Sequence, residues 1–332
     1  MKVKVFFLFL LVNYGYSQDY KRVDSLVKKY PKSLNTIRDI SKQILNDFTT
    51  DKDKVRAAFT WTALNIRYDI YKTSPFGSHS EMISYTSEYE LKRMKRLKVV
   101  KKIEKTLKTR KGICQDYSLI FNKLCKKIGI PVHSIVGFSK TGINDIGNNK
   151  SFKNHMWNAV YVDNEWKLID VTWASGYYNL KTRRFTPSFN DSYFFPSPEE
   201  FITHHFPGNQ NWQLLNHKVS KEYFFSSPFF YRDYFANNFK LSDTIKGTIT
   251  ATQKQKNITI SFDKIPKKGK TIRYTFLNDK SYSFLRLTRT KDNKYSGKIR
   301  VREKSDSQLV LFLKEKPIIG FKIIQDYRSI NP

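Results

Sequence analysis

Residues 111–125 read KGICQDYSLIFNKLC, and the change of pattern inside this stretch decides the fold. Gly112 interrupts a basic segment. After it Tyr117, Ile120, Phe121, Leu124 and Ile128 recur at helical spacing, so a helix begins at or beside Cys114. The first turn of a helix offers unpaired backbone N–H groups and the positive end of the helix dipole, which favour an anion. A thiolate is such an anion, and it is the nucleophilic form of cysteine. A single cysteine is also often a small buried apolar residue, so partners decide between the two readings.

Working outward, Val132–Gly137 reads as a strand, and HMWNAVYVDNEWKLIDVTW (155–173) alternates as a hairpin turning at Asp163-Asn164. In a hairpin of this length, His155 at the start of the first strand and Asp170 near the end of the second lie side by side. A thiol at a helix start, an imidazole and a carboxylate are the parts for covalent acyl transfer. Cys114 attacks an amide carbonyl, His155 handles the proton, and Asp170 fixes the ring's tautomer and orientation.

Upstream, two short amphipathic helices are expected over 19–48, broken at Tyr30-Pro31. A third, capped by Asp51, carries Val55, Ala58, Phe59, Thr62 and Ile66 on one face, with Trp61 in the core. Residues 72–87 suit an exposed polar loop, in which His79 faces solvent. From Glu88 to Lys108 runs a strongly basic helix. Its apolar positions Leu91, Met94, Leu97, Val100, Ile103 and Leu107 are read as an inner stripe, and its basic face could steer an acidic substrate towards the thiol.

Several motifs together carry a family resemblance. GICQDY at 112–117, H-x-W-N opening at His155 and D-V-T-W opening at Asp170 resemble the transglutaminase-like superfamily of papain-related cysteine enzymes. Trp61 with Asn65-Ile66-x-Tyr68-Asp69 is similar to that family's first-helix motif. The segment YFFPSPEEFITHHFPGNQNWQLL (193–215) resembles the kyphoscoliosis-peptidase and cytokinesis-associated branch. The resemblance covers about residues 50–215. It implies Cys114 as nucleophile, His155 as general base and Asp170 as third member. The fold it implies is α+β, a Cys-bearing helix packed on an antiparallel sheet. Gln115-Asp116 stands where the family more often has Gly before the Tyr, which bears on substrate contacts. Peptidases, cross-linking enzymes, deamidases and interaction modules all share this family, so the chemistry is narrower than the substrate.

The chain has 332 residues, 39% hydrophobic and 15% aromatic, enough apolar mass for about two packed domains. Lys2 and Lys4 before the apolar run Val5–Val12, then Gly15-Tyr16-Ser17, read as an export signal (1–17) cleaved before Gln18. That run is too short to span a bilayer. Only Cys114 and Cys125 occur; on one helix they stand roughly 16 Å apart, too far for a disulfide, and Cys125 falls on the apolar stripe. A net charge of +31 favours polyanionic partners such as acidic cell-envelope polymer, anionic lipid headgroups or acidic protein. Export to the periplasm or beyond makes nucleic acid the least expected of the polyanions.

His204, His205 and His217 have no thiol or carboxylate cluster at metal spacing, so they are read as structural, and neither metal nor cofactor is expected. Beyond about Leu241 seven alternating runs separated by Gly, Pro, Asn and Asp suggest a β-sandwich. The expected domains are therefore 18–240 and 241–332. Two functional readings follow. One is an exported thiol enzyme hydrolysing amide bonds of protein or peptide, or transferring their acyl group. The other is a noncatalytic envelope scaffold that uses the same fold and a basic surface to hold an anionic partner.

Overall fold

The computed structural model describes residues 20–72, 85–179, 182–252, 257–277, 279–301 and 306–326. The expected export signal and His79 lie outside these residues. Helices α1 (Lys21–Lys28), α2 (Ile37–Asp47) and α3 (Asp51–Asn65) come first, then α4 (Glu88–Thr109) and α5 (Cys114–Lys127). The α3 cap is Thr50, whose hydroxyl accepts the Asp53 N–H at 3.2 Å; Asp51 is the first helical residue. Thr50 takes that place because its own backbone is extended, as a side-chain cap requires.

α5 lies between the other helices and a four-stranded antiparallel sheet. The sheet order is Glu165–Ile169, His155–Val162, Val132–Ser139, His205–Pro207. Its hairpin closes on Asp163 and Asn164, both at positive φ (56° and 63°), the pairing that gives a two-residue turn the twist of its strands. The apolar side of α5 (Tyr117, Ile120, Phe121, Leu124, Cys125) is buried with Trp61, Phe59, Val160 and Ile169 in one core. Ser118 Oγ donates to the Trp157 carbonyl (3.2 Å) and Tyr117 Oη to the Ile66 carbonyl (2.6 Å), tying α5 to the sheet on one side and to the end of α3 on the other.

One expectation needs correcting. Only the C-terminal part of α4 packs inward, through Ile103, Thr106 and Leu107, while Met94 (37%) and Leu97 (47%) are exposed. Positions three apart advance about 300° on a helix of 3.6 residues per turn. A stripe read at strict three-residue spacing therefore rotates off the inner face, and Met94 and Leu97 end up outside.

The C-terminal strands form two sheets. One runs Lys240–Leu241, Asn257–Lys264, Tyr295–Arg300, Thr288–Arg289; the other runs Thr248–Thr252, Lys316–Asp326, Ser307–Leu313, Thr271–Phe276, Ser283–Arg286. Their facing residues, Ile260, Phe262 and Ile299 against Ile272, Leu309, Leu311 and Phe321, share one apolar core, which makes the pair a sandwich. Phe229–Phe230 also pairs with Lys316–Asp326, and Tyr234 and Phe239 enter the sandwich core. The two modules touch where the turn Ile143–Asp145 rests on Gly320. A Cβ added at Gly320 would sit 2.5 Å from the Ile143 side chain, so glycine is what permits that approach. Among the described residues no helix is long and apolar enough to cross a membrane.

Candidate active site

Cys114 is the first residue of α5. The turn that presents it is held by Asp116, whose Oδ2 accepts the Ile113 N–H at 2.9 Å. Gly112 is required beside it, because a Cβ there would fall 2.7 Å from that of Asp116. The Asp116 carboxylate is fully buried and faces two ammonium groups, Lys72 at 2.8 Å and Lys102 at 3.6 Å; Lys102 also bonds the Gln115 side chain. A buried carboxylate with two cationic partners is tolerable where a lone one would not be. The basic helix α4 thus reaches the turn that presents Cys114 through Lys102.

His155 opens its strand, three residues before the last hairpin pair, Asn158 with Ile169. Asp170 follows the returning strand and caps α6 (Val171–Ser175): its Oδ1 accepts the N–H groups of Thr172 (2.8 Å) and Trp173 (3.0 Å). It is a helix cap, not the strand residue that alternation suggested. Its Oδ2 lies 2.6 Å from His155 Nε2. The Cys114 side chain lies close enough to the His155 ring to help raise its pKa. Since Nε2 is committed to Asp170, the nitrogen left for the sulfur is Nδ1. The structure therefore brings Cys114, His155 and Asp170 into one buried row; Cys125 sits apart in the core, and both cysteines are free thiols.

The electrostatics follow from that row. Burial alone would lower the His155 pKa, but the charge and hydrogen bond of Asp170, helped by Cys114, outweigh it and raise it to about 10. Burial would raise Asp170, yet His155 and His205 hold its carboxyl well below the ordinary range. Tyr68 is pushed up to about 12 by burial, with the nearby Cys114, Asp170 and Asp116 adding to the shift, so its phenol stays neutral beside the thiol.

Spacing along the chain did not reveal His205. It lies 35 positions from Asp170 in sequence, and its Nε2 sits 2.8 Å from the same Oδ2. His155, Asp170 and His205 make the group of three with metal-ligand character among the described residues. The two N···O separations of 2.6 and 2.8 Å are those of hydrogen bonds. A tetrahedral zinc ion with bonds of about 2.0–2.1 Å would hold its ligand atoms roughly 3.3 Å apart, so the group as arranged suits shared protons rather than a metal. His204 is not part of it: burial, His205 and Lys140 lower it to about 3, a neutral ring packed on Phe229.

Residues 38–171 match the transglutaminase-like superfamily. Human kyphoscoliosis peptidase is 30% identical over 223 residues, covering 64% of this chain and 31% of that protein. The Caenorhabditis elegans Lim and transglutaminase domain protein ltd-1 is 30% identical over 171 residues, 48% of this chain and 23% of its own. Cytokinesis protein 3 of Saccharomyces cerevisiae is 29% identical over 134 residues, 39% of this chain and 15% of its own. The chain spans about a third or less of the length of these relatives.

Proposed function

From a chain whose residues 38–171 form a transglutaminase-like domain, we propose an exported cysteine enzyme that acts on amide bonds of protein or peptide. The observation that carries this reading is the 2.6 Å contact between His155 Nε2 and Asp170 Oδ2, with Cys114 beside the same ring. The Cys114 sulfur, its proton held on His155, attacks the amide carbon and forms a C–S bond. The tetrahedral intermediate collapses as the C–N bond breaks, and His155 gives its proton to the departing amine. Water or a second amine then attacks the thioester, His155 takes the incoming proton, and the sulfur leaves to restore the starting pair. Hydrolysis and acyl transfer differ in the acceptor alone.

The test is incubation with a peptide library followed by mass spectrometry. New termini or new isopeptide links that vanish in Cys114→Ala support the reading; identical spectra for both proteins contradict it. One observation favours the second reading, a scaffold holding an anionic partner. The outward side of α4 carries Arg93, Lys101, Lys105 and Lys108 interleaved with exposed Met94 and Leu97. A scaffold binds the anionic partner equally well as Cys114→Ala and makes no product.

A further inference from the structure

The Asp170 carboxylate serves two imidazoles, and the chemistry proposed above uses one. The second, His205, opens the short strand His205–Pro207, which pairs with Val132–Ser139 on the far side of that strand from His155. Its ring lies flat on Phe201 (4.0 Å, 9°) and is closed in by Trp173 at 4.4 Å and Trp157 at 5.2 Å. The side chain has no exposure to solvent and no room to turn.

We propose that His205 is a positioning residue: a neutral Nε2–H donor that fills the last acceptor position of Asp170 and so fixes the orientation of His155. Oδ1 already takes two backbone N–H groups and Oδ2 takes His155, so the His205 bond is the fourth. An ionised carboxylate has about four lone-pair sites. With all of them occupied by rigid donors, it can neither rotate nor shift from the ring that faces Cys114.

The tautomer of His205 is fixed by the same geometry. A proton on Nδ1 would leave the lone pair of Nε2 against that of Oδ2 at 2.8 Å, which is repulsive. With the proton on Nε2, Nδ1 has no well-aligned partner; the Phe201 backbone beside the ring favours its charged form, and burial outweighs that pull. The titratable groups facing the ring are Asp170, His155, His204 and Tyr193. Burial holds the ring down to about 4, so it brings no second cation to compete with the His155 imidazolium.

The kinetic part of this inference rests on Cys114 and His155 acting as proposed; the spectroscopic part does not. The experiment uses the full chain with 15N-labelled histidine, in which His205→Gln identifies the His205 signals. A neutral Nε2–H tautomer for His205 from pH 5 to 9 is the expected result, and an Nδ1–H or charged ring overturns the proposal. His205→Phe removes the donor and keeps the stacking. It is expected to move the His155 titration to lower pH, because a looser carboxylate stabilises the imidazolium less. It should also slow iodoacetamide labelling of Cys114 by about tenfold, the loss of one hydrogen bond to a charged group. His205→Gln, which can still donate, is expected to stay within about threefold of the parent. His155 signals and labelling unchanged in His205→Phe contradict the positioning role. If Cys114 in the parent labels no faster than in His155→Ala, the thiol chemistry fails, and the His155 signals still decide the role of His205.

Discussion

The module around Cys114 and the C-terminal sandwich bury different kinds of residue. In the first, Asp53, Arg56, Asp116, Lys140, His155, Asp170 and His205 are all withdrawn from solvent. In the second, the described interior is Ile, Leu, Phe, Val and Ala with Tyr234, and its buried polar residues beyond Leu241 are Ser242 and Ser307. Burying an ionisable group costs several kcal/mol unless it is paired and hydrogen-bonded. A fold that can close on hydrocarbon, as the sandwich does, has no need of such groups.

Some of the buried charge in the first module is structural. Arg56 makes a two-point contact with Asp24 (2.9 and 2.6 Å), stacked among Tyr20, Phe59 and Phe194. Lys140 is another case. Its ammonium bonds the carbonyls of Phe224, Ser227 and Pro228 and the Ser227 hydroxyl at 2.9–3.0 Å, tying the end of strand Val132–Ser139 to the segment that leads into the sandwich. What sets the Asp170 group apart is its content: a thiol, two imidazoles and a carboxylate in line, which can move a proton.

The contrast can be broken or sharpened by experiment. The largest effect is expected from Asp170→Ala, which leaves two buried imidazoles and two backbone N–H groups without their acceptor. It should cost about 3–5 kcal/mol of stability, as breaking a buried pair does, and abolish rapid labelling of Cys114. Stability near that of the parent in chemical denaturation would remove the distinction between the modules. In the sandwich, Leu311→Ala should cost about 2–5 kcal/mol through the cavity it leaves, with the labelling rate of the folded protein unchanged. A loss of labelling in the folded variant would mean that the modules are coupled at the site.

Acidification comes next in size. His204 and His205 have folded-state pKa values depressed to about 3 and about 4, against about 6.5 unfolded. Between those limits the unfolded chain binds more protons, so stability falls as pH drops below about 6.5. His155 has the opposite sign: its value, raised to about 10, gives a contribution that is complete below about 6.5 and is lost as pH rises towards 10. From pH 7 to 5 the net loss should be about 3 kcal/mol, read from denaturation midpoints, and His204→Phe should cut it to about 1 kcal/mol. A flat profile would mean that the two rings are not held neutral. The smallest effect is expected from Lys101→Glu with Lys105→Glu on the exposed side of α4. Stability should change by no more than about 0.5 kcal/mol, while adsorption to an anionic resin weakens in a salt-dependent way.

The elements whose signals are local were legible in the sequence. The Cys114 helix showed its period over about three turns, the hairpin its alternation and its Asp-Asn turn, and the sandwich its short runs between turn residues. His155 and Asp170 could be paired because fifteen residues of hairpin connect them. His205 could not: it meets Asp170 through a strand pairing on the far edge of the sheet, which no period encodes. The one hint was a histidine pair inside the segment 193–215, and adjacency there pointed away from a shared centre, since only one of the two faces it. The exposed half of α4 was misread because a spacing of three approximates 3.6 over one turn and drifts over several.

The central claim is that the sulfur of Cys114 and the ring of His155 act as one unit, and the labelling rate of Cys114 by iodoacetamide across pH 5–8 tests it most directly. The parent should label faster than His155→Ala throughout this range, because the imidazolium beside the sulfur persists until pH approaches about 10. His155→Ala should label slowly, since it lacks the base that takes the thiol proton. Two superimposable profiles would contradict the claim and leave Cys114 an ordinary buried cysteine at the start of a helix.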